Sequence, residues 1–353
     1  MTSLPYHGGL FLCLKKSTEM KQDILTTEKA ITLVKETFEG ELSRQLKLVK
    51  VSSPIAVLDG TGINDDLNGV ERPVSFPVKA MEDKRAVVVH SLAKWKRLRL
   101  KQLEMEPNSG ILTDMRALRP DEEFTALHSI YVDQWDWEQR IWPGDRTLDR
   151  LKNTVRKIYS ALRTTELAVY EQYPQIEPVL PADITFIHSE ELLCCYPWLS
   201  PKERESAAAK KYGAIFIIGI GGTLSNGERH DGRAPDYDDW STLNEEGYSG
   251  INGDIIVWNP VLQCAFELSS MGVRVDKTAL VRQLEERGCS DRSSLKFHSM
   301  LLAGELPESI GGGIGQSRVC MFMLKKRHIG EVQVSIWPEV EMLKLAAAGV
   351  TLL

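Results

Sequence analysis

The chain has 353 residues, 42% hydrophobic and 26% charged, enough to bury a large core as one big domain or two ordinary ones. Its 43 Lys and Arg stand against 49 Asp and Glu, a net charge of −6, which excludes a chain-wide attraction to nucleic-acid phosphates. No apolar run approaches the roughly 20 residues that cross a bilayer. Six scattered cysteines (Cys13, Cys194, Cys195, Cys264, Cys289, Cys320) form no C-x-x-C pair, which argues against zinc and disulfides and for a reducing, cytoplasmic compartment.

In chain order, residues 8–14 (GGLFLCL) are apolar but precede Lys15 and Lys16, the reverse of a secretory leader, so residues 1–23 read as a poorly ordered N-terminal extension. Residues 24–47 have a helical period, with Ile31, Val34, Phe38, Leu42 and Leu46 on one face. The strand-like run that follows contains Pro54 and reads as an edge or interface strand. Strands are expected at 74–80, 86–90, 111–118 and 129–136, then a helix over 147–172. Further strands are expected at 184–188, 214–219, 254–259, 264–270 and 332–337, and helices at 201–211, 276–287 and 316–326. The link between 111–118 and 129–136 is too short for a crossover, so that pair should be antiparallel. The pattern predicts an α+β fold, a mostly antiparallel sheet flanked by helices, with 24–353 as a single domain. Its longest irregular stretch is 222–253.

Three constellations carry chemistry. IGGGIGQSR (310–318) reads as a glycine-rich turn opening a helix; no P-loop is present, and Arg318 stands where a dinucleotide fingerprint has glycine. ALRPDEE (117–123) puts an arginine beside acids between two strands, suited to clamping a phosphate, although a surface charge cluster would look the same. In DIIVWNPVLQCAFELSSMGVR (254–274), Asp254 and Glu267 lie on neighbouring strands and repel unless a cation such as Mg²⁺ lies between them. In DQWDWE, alternation sets Gln134, Asp136 and Glu138 on one face and the tryptophans, read as core, on the other.

Taken in order, these patterns resemble the catalytic signatures of class II aminoacyl-tRNA synthetases, with the helix and strand up to Pro54 similar to their dimer-forming signature. HSLAKWKR (90–97), ALRPDE (117–122), SIYVDQWDWE (129–138), RAPDYDDW (233–240), NGDIIVWNP (252–260) and ELSSMG (267–272) resemble the ammonia-dependent asparagine synthetase (aspartate–ammonia ligase) family, from about residue 24 nearly to the end.

That resemblance implies a catalytic domain, a homodimer, and activation of aspartate by ATP with Mg²⁺ before transfer to ammonia. Asp65, Arg119 and Gln134 are implied as catalytic; Asp65 would bind ammonium, although its neighbour Asp66 replaces an expected Asn. Aspartate would be held by Ser91, Lys96, Asp136, Ser270 and Arg274. ATP would be held by Arg119, Arg233, Asp238, Gly313, Gly315 and Arg318, and the metal by Asp254 and Glu267. His90 and His128 read as structural. Competing readings are an aspartyl- or asparaginyl-tRNA synthetase, which needs an anticodon-binding domain, and an inactive relative that binds a partner, against which the retained arginines and acids speak. Thr2 leaves no N-terminal cysteine of the glutaminase kind, which favours free ammonia over glutamine.

Overall fold

The computed structural model of the protein describes residues 24–65 and 71–353, so the N-terminal extension and Asp66 lie outside the described residues. The first helix, α1 (Ile24–Leu46), buries Ile31, Val34, Phe38, Leu42 and Leu46, as its spacing requires. The run behind it divides around Pro54 into β1 (Leu48–Lys50) and β2 (Ala56–Leu58). Next come β3 (Ser75–Val78), β4 (Lys84–Val88), α2 (Ala93–Gln102), β5 (Gly110–Leu118), β6 (Tyr131–Arg140), α3 (Leu148–Gln172), β7 (Thr185–His188), α4 (Ser189–Cys195) and α5 (Pro201–Tyr212). The chain continues through β8 (Ala214–Ile218), β9 (Asn252–Asn259), β10 (Cys264–Val273), α6 (Lys277–Glu286), α7 (Lys296–Leu302), β11 (Ser309–Gly315), α8 (Gln316–Met323) and α9 (Glu339–Ala347).

Eight strands form one sheet in the order β1-β5-β6-β11-β10-β9-β8-β7, antiparallel across its middle and parallel only in the edge pairs β1–β5 and β7–β8. The β5–β6 pair is antiparallel, as its short link demands, and β1 lies on the sheet edge. A separate three-stranded sheet runs β2-β4-β3. The fold is α+β. One face of the large sheet packs on α1, α3 and α8, where Trp135, Trp137 and Ile314 join Phe38, Val155 and Phe322 in the main core. Phe38 meets Trp135 with ring centroids 4.6 Å apart. Alternation then turns Gln134 and Asp136 to the opposite face, where α2 packs on β6 and β11 beside an open cleft. Among the described residues no helix is long and apolar enough to cross a membrane.

Two expectations need correction. Residues 332–337 form no strand: Val332 is buried, but Val334 and Ile336 face solvent, and among the described residues no strand pairs with this segment. The glycines of 310–315 are not a turn but β11, an interior strand of the large sheet. Ile310 and Ile314 anchor it in the core, while Gly311, Gly313 and Gly315 stand opposite Glu138, Asp136 and Gln134 of β6. A Cβ on Gly311 would fall 1.9 Å from Glu138 Oε2 and 2.6 Å from Arg274 Nη2; one on Gly313 would fall 2.3 Å from Gln134 Oε1. The strand is bare because its neighbours' polar side chains lie across it. Helix α2 also escaped prediction, since it buries Lys94, Lys96 and Arg97 where periodicity looks for apolar residues.

Gly311→Ala should destabilise the chain by about 1–3 kcal/mol through overpacking. Gly40→Ala, in α1 with nothing within 4 Å of the added Cβ, should be neutral or stabilising by up to about 1 kcal/mol. Urea denaturation of the two variants checks the contrast.

Candidate active site

The cleft is a cavity of about 780 Å³ on the α2 side of β6, β11 and β10. Fourteen of the fifteen anticipated site residues line it: Asp65, Ser91, Lys96, Arg119, Gln134, Asp136, Arg233, Asp238, Glu267, Ser270, Arg274, Gly313, Gly315 and Arg318. Asp254 stands just behind the wall, where its carboxylate accepts from Arg233 Nη2 at 2.5 Å.

Much of that wall is a chain of buried charges of alternating sign. Lys96 Nζ, from α2, ion-pairs with Asp136, lies 3.9 Å from Glu138 and donates to the carbonyls of Trp137 and Gly312 at 3.0 Å. Arg274, just past β10, donates to Glu138 Oε2 at 2.7 Å and ion-pairs with Asp238. Arg233 reaches Asp238 at 3.5 Å and Asp254 at 2.5 Å. Burial draws the Lys96 ammonium below the usual lysine range despite Asp136. Burial pushes Glu138 upward, but Arg274, Lys96 and the Ser309 hydroxyl outweigh it, and its carboxyl sits below the ordinary range. Glu138 is therefore committed to Arg274 and is not among the cavity-lining residues, whereas Gln134 and Asp136 are.

Arg119, one residue past β5, is different. Its Nη2 donates only a long bond to the His90 carbonyl (3.4 Å), its Nε is buried without a partner, and among the described residues no carboxylate lies within ion-pair distance. Among the described residues it is a cleft-lining cation without a counter-charge. Arg318, in the first turn of α8, lies 3.7 Å from Glu267 and hydrogen-bonds His128 Nε2 at 2.7 Å. No motif spacing anticipates that last contact, because 190 residues separate the partners.

Asp254 and Glu267 converge through Ser270, whose hydroxyl donates to Glu267 Oε1 at 3.0 Å and whose position in β10 is opposite Asp254 in β9. Burial, with Glu267 adding repulsion, raises the Asp254 carboxyl to about 6 in spite of Arg233. Two adjoining carboxylates, one held uncomfortably charged, are a donor set that fits Mg²⁺ bound chiefly by phosphates, which needs only one or two protein carboxylates. Asp65 is buried and lines the cleft, with its carbonyl 3.1 Å from His90 Nδ1. Tyr237, not anticipated individually within RAPDYDDW, lines the cleft nearby; burial and then the Asp65 charge hold its phenol well above its usual value.

Burial and the Arg318 charge lower His128 from 6.5 to about 4. Between these values the unfolded chain binds a proton that the folded chain refuses, so stability contributed here is lost as pH falls from 6.5 toward 4. His128→Gln should weaken that dependence, measured as the difference in urea midpoint between pH 7 and pH 4.5, about the window just given; an unchanged difference would contradict it.

The family profile described as aspartate-ammonia ligase matches residues 25–349. The chain is 58% identical to the aspartate–ammonia ligase of Parabacteroides distasonis over 327 residues, 93% of this chain and 95% of that one. It is 54% identical to the enzyme of that name from Clostridium perfringens over 313 residues, 89% and 90% of the two chains. Its fold resembles asparaginyl-tRNA synthetase from Pyrococcus horikoshii complexed with asparaginyl-adenylate, with a TM-score of 0.66 at 14% identity, covering 88% of this chain and 70% of that one. That synthetase likeness, at so low an identity, is one of fold. The profile and the high identity along nearly all of both relatives carry more: the chain belongs to the aspartate–ammonia ligase family.

Proposed function

We propose that this protein joins aspartate to ammonia at the expense of ATP, through a β-aspartyl-adenylate, releasing AMP and pyrophosphate. The observation that carries the reading is Arg119, uncompensated among the described residues, in a cleft whose other arginines and Lys96 are already paired. A carboxylate attacking a polyphosphate needs fixed positive charge where negative charge accumulates, and a cation with no internal partner supplies it without first breaking an ion pair.

The wall suits a zwitterion. Asp136 would take the aspartate ammonium, and Lys96 and Arg274 its α-carboxylate, with Ser91 and Ser270 completing the grip and Gln134 orienting the β-carboxylate toward Arg119. Arg318, Arg233 and Asp238 would hold the nucleotide, with Gly313 and Gly315 leaving its path clear. Asp254 and Glu267 would hold Mg²⁺, which when bound supplies positive charge to the phosphates. In the first step a β-carboxylate oxygen bonds to the α-phosphorus and the bond to pyrophosphate breaks. In the second, nitrogen bonds to the acyl carbon and AMP leaves. Asp65 binds ammonium and takes its proton as the attack begins, which suits a carboxylate at the cleft wall. The reading includes a cytoplasmic homodimer joined along the β1 edge, where Val49 and Ile55 are exposed.

Arg119→Ala should lower turnover roughly 10²- to 10³-fold, the usual loss for one preorganised stabilising group; steady-state asparagine formation measures it, and a loss below about tenfold would remove Arg119 from this role. Asp65→Asn should abolish asparagine formation while largely sparing aspartate-dependent exchange of pyrophosphate into ATP. Parallel loss of both activities would count against the ammonium role.

A further inference from the structure

Outside the cleft lies a second buried ionic cluster that the proposed reaction does not use. Asp236 Oδ2, in the loop between β8 and β9, accepts from Lys94 Nζ at 2.8 Å and from His298 Nε2 at 2.9 Å, with Arg292 at 3.8 Å. Lys94, Asp236 and His298 are each 1% exposed or less, and none lines the cavity. An ionic trio of this kind is a poor source of stability, because desolvation offsets most of its attraction and apolar side chains would fill the space as well.

Its contacts suggest what it does instead. The other ring nitrogen of His298, Nδ1, is buried without a hydrogen-bond partner among the described residues and lies against the turn that leads to Asp65. A Cβ on Gly62 would fall 2.9 Å from that nitrogen and 2.9 Å from Leu295 Cβ, and Gly62 has φ +70°, where a side chain is strained in any case. One residue earlier, the Thr61 carbonyl accepts from the Phe297 amide at 3.3 Å. The turn therefore rests on the start of α7, with the His298 ring as its floor. On its other side, Asn64 Oδ1 accepts from the His90 amide at 2.8 Å. Asp236 fixes the ring, and its neighbour Tyr237 lines the cleft beside Asp65.

We infer that His298, oriented by Asp236, is a positioning residue that sets the height of the Asp65 turn above the cleft and thereby the ammonium affinity. The inference rests on the ammonium role of Asp65. Displacing a reacting group by about 1 Å can cost 10²-fold, so even a partial shift of this turn is measurable.

The test measures the KM for ammonium in asparagine synthesis beside aspartate-dependent pyrophosphate exchange, in the full-length enzyme. His298→Ala and Gly62→Ala should each raise the ammonium KM roughly tenfold, with exchange within about twofold of the parent. His298→Gln, which keeps an N–H donor for Asp236, should stay within about threefold of the parent KM. Gly62→Ala disturbs the same contact without opening a cavity, so it decides the matter if His298→Ala does not fold. An unmoved ammonium KM, or equal loss of exchange and synthesis, overturns the inference. Asp65→Asn run alongside separates the two claims. If it still makes asparagine, the ammonium reading falls and this inference with it; if it does not, while the KM stays unmoved in the other variants, the positioning role alone falls.

Discussion

Lys96, Asp136, Glu138, Arg274, Asp238, Arg233 and Asp254 form a run of buried charges in which each group is held by a neighbour of opposite sign. The residues come from α2, β6, the end of β10, the 233–240 loop and β9, so the elements around the cleft must be in register before the charges can match. Removing one partner from a buried pair costs about 3–5 kcal/mol, because the survivor is left charged and unsolvated. The arrangement is therefore better understood as a device for fixing geometry than as a source of stability. In the proposed reading it would present a wall of fixed charges to a zwitterionic substrate, next to Arg119, which has no counter-charge among the described residues.

That wall depends on the strand that carries no side chains toward it. The alternating glycines of β11 let Glu138, Gln134 and Arg274 lie flat across the middle of the sheet, while Ile310 and Ile314 hold the strand in the core behind. Interior glycines normally weaken a strand. Here the weakness is tolerated because pairing with β6 on one side and β10 on the other leaves no edge free.

Legibility in the sequence followed the same division. Elements with an apolar period, such as α1, α3 and β5, were readable almost to the residue, because burial is what periodicity records, while β6 was found but runs four residues beyond its expected end. Helix α2 and strand β11 were not, since one buries lysines and an arginine and the other carries glycines in place of a pattern. Both are elements of the site, where local rules give way to function. The residues anticipated for the site came from motif resemblance, and all but Asp254 line one cleft. Partnerships were not legible: that Lys96 pairs with Asp136, or that His128 holds Arg318, depends on distances no spacing encodes. The strand expected at 332–337 failed for the complementary reason, as alternation without a partner strand cannot satisfy its backbone.

The central claim is that the β-carboxylate of aspartate attacks the α-phosphorus of ATP. Supplying aspartate with oxygen-18 in that carboxylate, together with ATP, Mg²⁺ and ammonium, and following the label by mass spectrometry addresses it directly. Adenylation predicts AMP carrying a single labelled oxygen, with unlabelled pyrophosphate. Label in inorganic phosphate, formed together with ADP, would contradict the account.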